Sequence, residues 1–166
     1  MFSFSSEMFF YIGVGFCVVW VANNCISLFF KKFFGINPLY KGLRVSHLFL
    51  GVSIVPPIEE LIFRSPVYFW GTESLSLISW MVILLSAVLF GLIHISNDMI
   101  AHGRKTIAGK VRLFINTTTT GIVSGWVVIQ TQSLLSVIML HYLINVVAFF
   151  FIIYNQIQDQ KRIIAT

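Results

Sequence analysis

Five apolar stretches dominate this sequence of 166 residues: Met8–Phe30, Ser46–Tyr68, Leu77–Ile95, Leu113–Gln130 and Leu134–Tyr154. Each is near the roughly 20 residues that carry a helix across about 30 Å of hydrocarbon. Inside a bilayer the backbone must satisfy its own amides, so spans of this length are expected to be helical. The expected fold is all-α, a polytopic membrane helix bundle with about five transmembrane helices. Composition agrees: 57% of residues are hydrophobic and 10% charged, with a mean hydropathy of +0.89. A soluble domain carries about 25% charged residues. That contrast excludes a water-soluble enzyme and a nucleic-acid module, and makes the lipid bilayer the first partner.

The first stretch is read as a retained span. Nothing basic precedes it, it is too long for a signal-peptide core, and no A-x-A site follows. The basic residues fall into clusters. Lys31, Lys32, Lys41 and Arg44 follow the first stretch, Arg104, Lys105, Lys110 and Arg112 the third, and Lys161 and Arg162 the fifth. Every second connection is therefore positive. The positive-inside rule predicts a multi-pass protein of the cell membrane, with its N-terminus outside and its C-terminus cytoplasmic. Residues 1–45 read as an N-terminal span with a basic cytoplasmic connection, 46–154 as the core, and 155–166 as a short cytoplasmic tail.

Only Thr131-Gln132-Ser133 joins the last two stretches, which predicts a tight antiparallel helical hairpin. Gly121 and Gly125 form a small-xxx-small face suited to close helix approach, and the Thr117–Thr120 run can bond its own preceding turn. Cys17 and Cys25 lie within the first span and are expected to be packing residues, not a disulfide. Phe9, Phe10, Phe29, Phe30, Phe33 and Phe34 are expected to meet lipid.

Five ionisable residues lie deep in apolar stretches: Glu59, Glu60, Arg64, His94 and His141. Each such group costs at least about 2.5–3.5 kcal/mol on insertion scales, so each is a functional candidate. Glu60 and Arg64 are i and i+4, acid first, which favours an intrahelical ion pair. Glu59 lies about 100° round the helix and points elsewhere, free to serve as a general base. Pro56-Pro57 is expected to start a new helical segment with both glutamates in its first turn. His141 and Asn145 share a face of the last span, and Phe90 and His94 a face of the third. Two histidines, an asparagine and a glutamate from three spans are residue types of a metal-hydrolase site, with imidazoles as ligands and a carboxylate activating water. His47 and His102 are assigned no role.

Glu59-Glu60-x-x-x-Arg64, Phe90-x-x-x-His94 and His141-x-x-x-Asn145, in that order, resemble the three motifs of the CAAX protease and bacteriocin-processing (CPBP, or Abi) family of intramembrane metalloproteases. The resemblance runs from about Leu48 to Phe150. It implies an all-helical membrane bundle that hydrolyses a peptide bond in or beside the bilayer, with a protein or peptide substrate at the membrane. By the same resemblance Glu59 is the water activator, Glu60 and Arg64 its supports, and His94, His141 and Asn145 bind either a metal or an oxyanion. A metal held by Glu59, His94, His141 and Asn145 would be divalent, Zn²⁺ by ligand type.

Ser65-Pro66 follows the motif arginine where the family commonly has glycine, which favours an early helix end and a displaced Arg64. Counted from the outer connection near Gly71–Ser76 at about 1.5 Å per residue, Glu59 lies some 18–20 Å deep and His94 about 27 Å, so straight upright helices keep them apart. Two other classes fit the composition: a non-catalytic membrane immunity or binding protein, and a proton or ion carrier. Substrate identity and oligomeric state are not legible in the sequence.

Overall fold

The computed structural model describes residues 5–34, 53–71, 75–96 and 106–164. Five helices run through it: α1 Ser6–Phe34, α2 Val55–Trp70, α3 Leu77–Ser96, α4 Ile107–Thr131 and α5 Leu134–Ile164. The expected all-α bundle is what forms, and among the described residues there is no strand. His47, His102 and the residues Ser46–Val52 of the second apolar stretch lie outside the described residues.

Three helix segments are long and apolar enough to cross a membrane: Ser6–Phe34, Leu77–Ile95 and Leu134–Tyr154. The other two owe their place to packing. The 16 residues of α2 reach only about 24 Å. The middle of α4 carries Asn116 and four threonines, yet α4 is the central helix, lying against all four others. Its Thr120, Gly121, Ser124 and Gly125 are buried among them. The outer surface is apolar: Phe10, Leu28, Phe33, Leu77, Met81, Leu85 and Phe150 are all more than half exposed. Such a surface suits acyl chains and not water. This is a membrane protein.

Contacts between helices fix their directions. Gly121 meets Ala87 and Gly125 meets Ile83, so α3 and α4 are antiparallel. A Cβ on Gly121 would stand 2.9 Å from the Cα of Ala87, and one on Gly125 2.9 Å from the Cγ2 of Ile83. The small-residue face is therefore where α3 seats. Arg112 meets Ser27, and a Cβ on Gly15 would touch Val123 and Val127, so α1 also opposes α4. The α4–α5 hairpin turns at Gln132, whose φ of 47° is left-handed. The threonines bond their own helix as expected, Thr117 Oγ1 to the Leu113 carbonyl at 2.8 Å and Thr120 Oγ1 to that of Asn116 at 3.0 Å.

Several expectations are corrected. Cys17 and Cys25 are free and face outward from α1 instead of packing, because α1 buries only a narrow stripe. Phe30 is buried, unlike its aromatic neighbours. Arg112 is not a loop charge but a buried residue whose Nη2 donates to Ser27 Oγ at 2.8 Å. Pro66 does not end α2, which continues to Trp70 and keeps Arg64 in register with Glu60. Val55 begins α2, so Glu59 and Glu60 fall in its second turn, not its first.

Candidate active site

Glu59, Glu60 and Arg64 come from α2, His94 from α3 and His141 from α5, and the fold brings all five side chains together. The depth difficulty disappears in the register of α2 on α3. Val67 packs with Ile83, Phe63 with Phe90, and Glu59 faces His94. Extending those rungs puts Gly71 beside roughly residue 80 of α3, not beside Ser76. The connection is therefore not level. α2 stops short of where α3 starts by about three residues, roughly 5 Å, which takes up most of the difference between the two counted depths.

Arg64 is wholly buried, and its slot is assembled from three helices. Its Nε lies 3.1 Å from Glu60 Oε2. Its Nη1 donates to Ser86 Oγ at 2.8 Å, and the Ser86 hydroxyl donates to the Phe63 carbonyl. The guanidinium lies 5.0 Å from the centre of the Phe90 ring, and Gly121 of α4 leaves it room: a Cβ there would stand 3.3 Å from Nη2. A buried cation of this kind is tolerable only with a close anion and further polar contacts.

Glu60, equally buried, spends its other oxygen on His141, with Oε1 2.7 Å from Nδ1. A paired carboxylate accepts, so Nδ1 of His141 carries the proton and Nε2 is left for other work. His94 is held the same way: its Nδ1 donates to the Phe90 carbonyl at 2.7 Å. The two free Nε2 atoms converge on Glu59, His94 at 3.7 Å from Oε1 and His141 at 3.8 Å from Oε2. Glu59 remains 19% exposed where Glu60 is 1% exposed. Phe90 packs against both imidazoles, 4.2 Å and 6.2 Å between ring centres.

Asn145 lies one turn beyond His141 on the same face of α5 and is half-buried. Two imidazoles and a carboxylate are the right donor types for a divalent metal. Even so, among the described residues no group of three or more His, Cys, Asp or Glu is arranged to hold one.

Two contributors escaped the sequence reading. Ser86 is one; its signal was the stripe Ser86-x-x-x-Phe90-x-x-x-His94, one turn longer than the motif. Tyr142 is the other: its hydroxyl donates to the Ser53 carbonyl and ties the segment before Pro56-Pro57 to α5. Nothing in the sequence singled it out among the aromatics.

A membrane-embedded helical bundle whose helices gather a glutamate and two histidines beside a buried ion pair defines a class of intramembrane enzyme. Residues 41–147 match the family described as type II CAAX prenyl endopeptidase, Rce1-like, and the chain belongs to that family. The match contains α2, α3 and α4 and every residue of the cluster, while α1 precedes it. None of the curated proteins and none of the solved structures matches the chain.

Proposed function

We propose that this protein is an intramembrane endopeptidase in which Glu59 activates the attacking water. The observation that carries this reading is the contrast between two adjacent glutamates. Glu60 is sealed off, with Arg64 on one oxygen and His141 on the other, whereas Glu59 is partly open and faces two imidazole nitrogens. As the water oxygen bonds to the scissile carbonyl carbon, Glu59 takes its proton. The tetrahedral adduct then collapses with cleavage of the C–N bond, and the same proton passes to the departing amine. In this reading Asn145, one turn beyond His141 on α5, and the imidazoles hold the oxyanion, by the amide N–H and, in a doubly protonated ring, by Nε2–H. Glu60 and Arg64 support the site by orienting His141.

A second reading gives the same donors a divalent metal, zinc by ligand type, held by His94, His141, Glu59 and Asn145. What favours it is that both imidazoles tie Nδ1 to an acceptor and turn Nε2 to a carboxylate, the usual outer-shell pattern of metal-ligating histidines. Bound there, the ion would polarise the scissile carbonyl as a Lewis acid. The alternating directions of neighbouring helices support an odd number of crossings with the termini on opposite sides, and the basic connections favour a cytoplasmic C-terminus. The family's description makes a prenylated peptide ending in a CAAX sequence the first substrate to offer.

Cleavage of a farnesylated CAAX peptide by the detergent-solubilised protein, with elemental analysis of the same sample, tests both readings. Cleavage that persists in strong chelator by metal-free protein supports Glu59 with an oxyanion site. About one equivalent of zinc, lost on His94→Ala or His141→Ala, supports the metal. No cleavage of prenylated or unprenylated peptides contradicts the endopeptidase and turns the question to an immunity protein or a proton carrier.

A further inference from the structure

Arg64 has several N–H groups and is wholly buried. Of its three nitrogens, Nε and Nη2 have no aligned hydrogen-bond acceptor, although Nε makes the close ionic contact with Glu60; only Nη1 is directed properly, onto Ser86. The hydroxyl of Ser86 is itself fixed, because its proton goes to the Phe63 carbonyl of α2 and its lone pair is thereby turned to Arg64. Among the described residues, Ser86 thus takes the one well-directed hydrogen bond of the guanidinium and, with the Glu60 contact at Nε, sets its rotation within the slot. From Arg64 the order passes to Glu60, from Glu60 Oε1 to His141 Nδ1 at 2.7 Å, and from His141 Nε2 to Glu59.

We infer that Ser86, one turn ahead of Phe90 on α3, is a positioning residue for the reaction: it orients Arg64, and through Arg64 and Glu60 it holds the His141 imidazole toward Glu59. This rests on the reading of Glu59 and His141 given above. Ser86 touches neither of them, and its place beside a buried guanidinium separates it from the other serines of α3. Ser79, also buried, bonds Ser76 at the helix start and belongs to a different environment.

The test compares Ser86→Ala and Ser86→Thr with the parent in two measurements on the full chain in detergent. One is the kcat and KM for the farnesylated CAAX peptide. The other is the ¹⁵N spectrum of labelled histidine, in which the hydrogen-bonded Nδ1–H of His141 is assigned by its loss in His141→Gln. Ser86→Ala should lower kcat about 10-fold with KM within about 2-fold, as loss of an outer partner usually does, and should shift or broaden the His141 signal. Ser86→Thr, which keeps the hydroxyl, should restore both. An unchanged His141 signal in Ser86→Ala overturns the inference, whatever happens to kcat, because the effect would then run by another route. If no variant and no parent cleaves peptide, the endopeptidase reading fails, while the spectrum still decides whether Ser86 positions His141. Should Ser86→Ala not fold, Ser86→Cys, with its weaker acceptor, is read in the same way, and a His141 signal identical to the parent's overturns the inference.

Discussion

Two arginines are buried among the described residues, and their surroundings differ in kind. Arg64 sits among α2, α3 and α4 with a carboxylate, a hydroxyl and an aromatic face, and the polar path through Glu60 and His141 leads from it toward Glu59. Arg112 lies between α4 and α1, where its Nη2 bonds Ser27, and the next rung of the same two faces carries Asn116 and Asn23. An exposure of 0% for one and 4% for the other does not separate them. What separates them is the chemistry they organise. The first orders titratable groups that converge on a partly open carboxylate, while the second bonds Ser27 and clamps α1 to the central helix. A buried charge in a membrane bundle therefore marks a reactive site only where it holds other ionisable groups in place.

The comparison can be broken most forcefully at Glu60. Glu60→Ala strands Arg64 as a buried, uncompensated cation, with an expected loss of about 3–5 kcal/mol and most of the folded yield. Thermal unfolding in detergent reads it, and a parental Tm would mean the pair does not hold α2 in place. The helix seam comes next. Gly121→Ala drives a methyl group into Ala87 and toward Arg64, and we expect a loss of about 1–3 kcal/mol. The smallest effect belongs to the second arginine. Arg112→Met keeps the bulk and removes the bond to Ser27 on the α1 side of the bundle, so stability should change by about 1 kcal/mol and peptide cleavage by less than about 2-fold. A large loss of cleavage in Arg112→Met would erase the distinction between the two regions.

Much of this was written in the apolar runs. Each of the five stretches carries a helix, the second over its described part from Val55, and the Glu60–Arg64 pair follows from i, i+4 spacing alone, because that contact is local. Contacts between distant residues were not legible. The bond from Glu60 to His141 joins residues 81 apart and depends on how α5 rotates against α2. Depth was misjudged because the connection after α2 was taken as level, when α2 ends short of the start of α3. Arg112 was counted as a topology signal because its distance from the loop is only a turn and a half, and burial against α1 is invisible in a local window. The glycine face could be read but not its partner, since Ala87 and Ile83 look like any other residues of α3.

The account's central claim is that, of two adjacent glutamates, Glu59 does the chemistry. It is tested most directly by measuring kcat for the farnesylated CAAX peptide and the Tm of Glu59→Gln beside the parent. Glutamine keeps the shape and removes the base. We expect a fall in kcat of about 10³-fold or more, within the range of general-base catalysis, with Tm unchanged within about 2 °C because the two imidazole contacts of Glu59 are long, 3.7 and 3.8 Å, and the carboxyl is partly open. A Glu59→Gln protein that cleaves the peptide at the parental rate would contradict the claim.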